Sequence, residues 1–292
     1  MPPRSVTLVG IDGSGKSAVV DAVGRALSTR SRVATLRFPA LHEARDVPLG
    51  DLALDLRELS RIGDELGSGG VKATALYLLA TLFGPVQSFV AAALRPRLLL
   101  LERHAVIDVM AYSPLYAKLI GATRAALDVA DDVRREMAAR RPGGMEAIER
   151  WIAAEAERLG AERTLWEFPD HITRLAASPP EVRLSLVERE CQSTTPDVVV
   201  WLDVDPAVAA SRTTQRLRTE LHERAEGLGT LRGLYSITFE HLRRLRGSTA
   251  FHLLAPRDGE SVDEVTSRFL ALLTEDVVPG GPVGASHVVR PE

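Results

Sequence analysis

A mostly parallel β-sheet sandwiched between helices is the fold class this sequence predicts, and three features predict it. Short β-branched or leucine-rich runs alternate with longer stretches of helical period. A glycine loop joins the first run directly to a helix. Two of the runs are continuously apolar, as in strands covered on both faces. They are Leu98-Leu99-Leu100-Leu101 and Val198-Val199-Val200-Trp201-Leu202.

The first strand, Ser5-Val6-Thr7-Leu8-Val9, runs into Gly10-Ile11-Asp12-Gly13-Ser14-Gly15-Lys16-Ser17 and then Ala18-Val19-Val20-Asp21-Ala22-Val23. Gly10, Gly15, Lys16 and Ser17 satisfy G-x-x-x-x-G-K-[ST] in the strand-loop-helix setting that gives the pattern its meaning. Residues with little side chain let successive backbone N-H groups curl around phosphate oxygens at a helix N-terminus. Gly10, Asp12, Gly13, Ser14, Gly15, Lys16, Ser17 and Ala18 are therefore the expected nucleotide-phosphate site, with Lys16 reaching the β- and γ-phosphates and Ser17 ligating Mg²⁺. A plain glycine turn is the alternative. Of 36 Lys and Arg only Lys16, Lys72 and Lys118 are lysines, and one stands where a compact ammonium is wanted.

Arg32-Val33-Ala34-Thr35-Leu36 is the next predicted strand, stopped by Arg37-Phe38-Pro39. Residues 47–66 have helical period and end at Gly67-Ser68-Gly69-Gly70. The span 73–94 carries no charge and could be mistaken for a membrane crossing. Gly84-Pro85 interrupts it, so two buried helical pieces packed on the sheet are expected. The Leu98–Leu101 strand ends in Glu102-Arg103-His104, polar residues at a carboxyl end where ligands bind in such sheets. Glu102 is the natural acidic partner for the metal, directly or through water, and Arg103 is placed to grip an anionic acceptor. A structural ion pair at a strand end would look the same.

Residues 119–190 read as a helical insertion broken by Pro142, Pro169 and Pro179-Pro180. Trp151, Trp166 and Phe168 within it are expected to fill core, with base stacking as the alternative. The strand at 198–204 meets Asp205-Pro206 and a helix carrying Arg212, Arg216 and Arg218. Arginines from a mobile segment neutralise the charge of phosphoryl transfer, so 212–230 is the expected lid; a solvated helix is the alternative. Phe251–Leu254 is a last strand, followed by an amphipathic helix at 262–273. The domain is expected to run over 1–278, with 279–292 a disordered tail.

Bulk properties exclude several classes. At 292 residues with net charge -3, no basic excess drives nucleic-acid or membrane-surface binding. One cysteine, Cys191, excludes an internal disulfide framework, and the chain opens without a secretory segment, so a cytoplasmic protein is expected.

Taken together the motifs resemble those of thymidylate kinases. The phosphate loop, Arg37-Phe38-Pro39, Glu102-Arg103-His104, Pro196-Asp197 through Asp203-Val204-Asp205-Pro206, and Arg224-Ala225-Glu226 look like that family's phosphate loop, R-F-P loop, D-R-Y motif, P-D strand and lid R-x-E, over about residues 5–115 and 195–275. The resemblance implies a P-loop NTPase, a three-layer α/β/α fold, and an ATP- and Mg²⁺-dependent kinase acting on a nucleoside monophosphate or close relative. It implies Asp12 on the acceptor's sugar hydroxyl and Arg103 on its phosphate. Arg37 and Phe38 would lie beside the acceptor, and homodimerisation is the family's habit. Gly13 in place of a loop arginine implies that the catalytic arginine comes from Arg212, Arg216 or Arg218.

Three departures leave the acceptor open. Glu102-Arg103-His104 is closer to the E-R-S of deoxyribonucleoside kinases, whose lid pattern also fits Arg212, Arg216, Arg218 and Glu220. No arginine occurs between Lys72 and Arg95 to read a pyrimidine. The stretch from Glu102 to Pro196 is longer than the family's spacing. A kinase acting on a hydroxyl of a nucleoside or specialised small molecule, with Asp12, Glu43 or Glu102 near that hydroxyl, is the alternative. A nucleotide-binding regulatory module is the third, although the N-K-x-D guanine signature is missing.

Overall fold

The computed structural model describes residues 3–29, 31–44, 47–213, 225–257 and 259–277. Five strands, β1 (Arg4–Val9), β2 (Val33–Arg37), β3 (Leu98–Glu102), β4 (Val198–Leu202) and β5 (Ala250–Leu254), form one parallel sheet in the order β2-β3-β1-β4-β5. Flanked by helices, it is the predicted α/β architecture. β3 and β4 are buried at every residue, as their continuous apolar runs require, whereas the edge strands β2 and β5 are partly exposed.

Register positions the site. Leu8 of β1 lies beside Glu102 of β3, which lies beside Arg37 of β2, so these three form one row across the carboxyl edge. The glycine loop begins two residues beyond Leu8. Helix α1 (Lys16–Ser28) starts from Gly15, whose φ of 92° is left-handed, and it buries Val19, Val20 and Val23 against the sheet.

The helices α2 (Gly50–Glu65), α3 (Gly69–Thr81) and α4 (Phe83–Leu94) follow β2. The uncharged stretch is long and apolar enough to cross a membrane by composition, but it divides into α3 and α4 and is mostly buried within the protein. The division falls at Leu82 rather than at Gly84-Pro85. Proline is tolerated in a helix's first turn, where the N-H would have no partner, so Pro85 starts α4 instead of breaking it.

Helix α5 (Ala105–Ala122) is the hub of the rest. It packs on α3, on α11 (Ala225–Leu245), and on α8 (Phe168–Ala177) and α9 (Pro180–Cys191) from the helical middle. The other middle helices, α6 (Ala130–Arg140) and α7 (Gly144–Leu159), pack on α2. Phe168 is buried, and the Trp151 indole donates to Thr81 Oγ1 at 2.8 Å. Trp166 packs against the core beneath Arg134. All three serve packing, as expected.

Helix α10 (Pro206–Thr213) follows β4, and α12 (Val262–Val277) packs on α1. Arg216, Arg218, Glu220 and Arg224 of the expected lid, and the 279–292 tail, lie outside the described residues.

Candidate active site

The glycine loop is shaped by backbone conformations that side chains resist. Gly10 has φ of 153°, and a Cβ there would stand 2.5 Å from the Leu202 carbonyl oxygen, so β4 can approach only a glycine. Over the cradle, Lys16 Nζ donates to the Ile11 carbonyl at 2.6 Å and to Ser14 Oγ at 3.2 Å. Burial, then the nearby Arg103 cation, lowers the Lys16 ammonium to about 7. Arg212 reaches the same loop from α10: its Nη1 lies 3.8 Å from where a Cβ on Gly15 would be.

Ser17 Oγ donates to Glu102 Oε1 at 2.5 Å, and Glu102 Oε2 accepts from Arg37 Nε at 3.0 Å. Arg37 also pairs with Asp21 and lies 3.6 Å from Glu43. The two expected metal ligands are thus side by side at the start of α1. A hydroxyl plus one carboxylate fits Mg²⁺, which keeps waters and substrate phosphates as its other ligands. Among the described residues no three His, Cys, Asp or Glu side chains gather as metal ligands.

Arg103 is the centre of the second half. Its φ of 62° is left-handed, an uncommon conformation for arginine that turns the chain from β3 into α5 while its N-H donates to Leu8 O at 2.9 Å. The buried guanidinium donates through Nη2 to Asp12 Oδ1 at 2.5 Å. Through Nη1 it donates to Asp108 Oδ2 at 3.0 Å, Tyr112 Oη at 3.2 Å and Tyr235 Oη at 2.9 Å. Burial opposes the charge on Arg103, but Asp12 foremost holds its pKa well above the ordinary value. Burial pushes the Asp108 carboxyl up while Arg103 pulls it back.

His104 follows Glu102-Arg103 and starts the next helix. It is the N-cap of α5, its Nδ1 accepting from Val106 N-H at 3.3 Å. That bond leaves the proton on Nε2, which donates to Ser193 Oγ at 3.3 Å. Full burial lowers His104 to about 3, so the ring is neutral.

Beside the loop opens a cavity of about 230 Å³. Asp12, Arg103 and Asp108 stand at its polar end. Phe38 and Pro39, joined by a cis peptide, line it with Tyr77 of α3, Tyr112 of α5 and Ile172 of α8. The structure therefore gathers Lys16, Ser17, Glu102, Asp12, Arg103, Phe38 and Arg212 around the loop and its cavity. Arg37 lies instead on the metal side. Asp108, Tyr112 and Tyr235 were not anticipated. Asp108 had a signal, the one charged residue between Arg103 and Lys118, whereas Tyr235 had none.

No family model matches the chain, and no curated protein matches it. Among solved structures the chain is similar to a deoxyadenosine kinase from M. mycoides with products dcmp and a flexible dcdp bound. The likeness is at 12% identity over 92% of this chain and 98% of that one, with a TM-score of 0.45.

Proposed function

We propose that this protein is an ATP- and Mg²⁺-dependent kinase that transfers a phosphoryl group to a small acceptor held in the cavity. The observation supporting this is a juxtaposition: Asp12 belongs both to the phosphate loop and to the cavity wall, so whatever fills the cavity ends against the place where a γ-phosphate would lie. Backbone N-H groups of residues 13–18 and the Lys16 ammonium would hold the donor's phosphates. Ser17 and Glu102 would hold Mg²⁺, which when bound neutralises and orients β- and γ-phosphate oxygens. Arg212 lies over the loop, where its charge would oppose the negative charge on the transferring group. Arg216 and Arg218 belong to the same proposal by sequence alone.

Resemblance to thymidylate kinases supports a nucleoside monophosphate, or a close relative, as the acceptor. The ion-pair geometry favours the second reading, an acceptor hydroxyl. Arg103, the cation expected to grip an acceptor phosphate, is already fixed by two carboxylates and two phenols. Freeing it would strand Asp12 and Asp108. An uncharged hydroxyl needs no such rearrangement. Its oxygen would bond to the γ-phosphorus as the bridge to the β-phosphate breaks, ADP leaves, and its proton passes to the Asp12 carboxylate.

Acceptor-dependent ADP release tests both readings. Turnover with alcohols or nucleosides but not monophosphates supports the hydroxyl acceptor, and the reverse supports the monophosphate. Tight ATP binding with no acceptor-dependent release would instead mark a nucleotide-binding module.

A further inference from the structure

The cavity's polar equipment is unevenly distributed, and most of it is already engaged. Asp12, Asp108, Arg103 and the Tyr112 hydroxyl bond one another at the loop-facing end, with Tyr112 Oη donating to Asp12 Oδ2 at 3.3 Å and Tyr235 Oη to Asp108 Oδ1 at 2.7 Å. Tyr77 turns its hydroxyl away to a buried set behind the wall. It donates to Glu190 Oε2 at 2.6 Å and lies 3.2 Å from His171 Nε2, which itself meets Glu190 at 3.0 Å. Burial, then the Glu190 charge, raises the Tyr77 phenol well above its ordinary value, so it stays a donor. What Tyr77 shows the cavity is its ring. Helices α8 and α9 of the helical middle supply His171 and Glu190, and so fix that ring in place.

A purine or pyrimidine presents a row of donors and acceptors along one edge. Proteins read such an edge with paired amide or guanidinium groups, whose donors and acceptors match it two at a time. Among the described residues the cavity lining has no Asn, Gln, His or Lys, and its one arginine is Arg103. Away from the loop, the polar side chains of the lining carry hydroxyls. One is Ser113 Oγ, buried in α5 with no hydrogen-bond partner. The rest of that wall is Ala73, Leu76, Val109 and Ile172 with the aromatic rings. A base pushed into it would leave several polar atoms unpaired.

We propose that the acceptor is an alcohol whose body is an apolar ring system, and that this cavity is not built to read a nucleobase. The proposal rests on the kinase reading for the fate of the hydroxyl, but not for the recognition of the body. About 230 Å³ exceeds the roughly 150 Å³ that admits benzene in an apolar core, so a substituted or bicyclic ring fits. Ser113 Oγ, buried within α5, offers such a body no paired edge of donors and acceptors. Leu76, on the wall, sets the room available.

Calorimetry and thermal shift with the full-length protein and a non-hydrolysable ATP analogue test this. The probes are 4-phenyl-1-butanol, 2-naphthalenemethanol and cyclohexylmethanol against thymidine, deoxycytidine, deoxyadenosine and their monophosphates. An aryl or cycloalkyl alcohol is expected to bind at least tenfold more tightly than any nucleoside. Leu76→Phe is expected to weaken that alcohol at least tenfold while leaving affinity for the ATP analogue unchanged. A nucleoside or monophosphate that binds more tightly than every alcohol would overturn the proposal, as would the absence of any alcohol-induced shift. Alcohols that bind but release no ADP from ATP would leave the cavity's specificity standing and remove the kinase reading beneath it.

Discussion

Arg103 Nη2 lies 2.5 Å from Asp12 Oδ1, an ion pair that joins the loop after β1 to the turn after β3. Asp108 completes the set on the other side of the guanidinium at 3.0 Å. Two carboxylates around one buried cation hold the acceptor end of the site in a single arrangement.

Removing that cation should be costly. Arg103→Met keeps an unbranched apolar stem and loses the charge, and it leaves Asp12 and Asp108 without their partner. A loss of about 3–5 kcal/mol in urea-denaturation stability is expected, with part recovered in Arg103→Met/Asp108→Asn because the second change removes the stranded charge. A single variant as stable as wild type would show that solvent already screens the cluster.

Lys16 gives the site a pH dependence. With its pKa lowered to about 7, the free protein carries a neutral amine above that pH, while bound phosphate requires the ammonium. ATP affinity should therefore be flat below pH 7 and decline above it, with proton uptake on binding at pH 8 seen as buffer-dependent calorimetric heats. Without ATP, the unfolded chain binds the extra proton between about 7 and the ordinary lysine value. Folding stability attributable to Lys16 thus rises with pH across that window, and Lys16→Met should abolish that rise.

Glu102→Gln tests the metal site. An amide ligates Mg²⁺ more weakly than a carboxylate, so about tenfold more Mg²⁺ should be needed for half-maximal turnover. Metal-free ATP binding, measured by calorimetry, should change little. An unchanged Mg²⁺ requirement would confine Glu102 to its pairing with Arg37.

Arg212→Ala should lower kcat by about 10²-fold or more while the acceptor KM stays within twofold, since a cation over the loop acts on charge that develops in transfer. Steady-state kinetics checks it, and a change confined to KM would place Arg212 in ground-state binding.

His104 makes the fold sensitive to acid. Its folded pKa of about 3 lies below the unfolded 6.5, so its contribution is intact above 6.5 and lost progressively as pH falls from 6.5 toward 3, at about 1.4 kcal/mol per pH unit. His104→Asn keeps a side chain able to cap α5. Its stability should fall less steeply than wild type over pH 6 to 4 in chemical denaturation.

The glycine loop was legible because its shape lies in contiguous backbone: glycines where side chains would collide, a lysine, a hydroxyl, then a helix. Glu102 and Arg103 were legible because a continuously apolar strand delivers the residues at its end to the carboxyl edge of the sheet. The partners of Arg103 were not. Its partners Asp108 and Tyr112 are close in sequence, but Tyr235 is 132 residues away, and no local pattern announces that a cation will be neutralised at such a distance. The expectation that Arg103 grips an acceptor phosphate came from its position and from the family resemblance, and neither says which partners it meets in this fold.

The sequence by itself determined the parallel sheet, the cradle at its edge and the pair that would hold a metal, because strand period, glycine conformation and neighbour spacing are local properties. Tertiary packing alone decided the shape and polarity of the cavity. Its wall draws on residues from α3, α5 and α8 and on the turn after β2, and its character depends on which polar groups face one another instead of a ligand. That is settled only when the helices close on each other, since a hydrogen bond between distant side chains exists only in the folded chain.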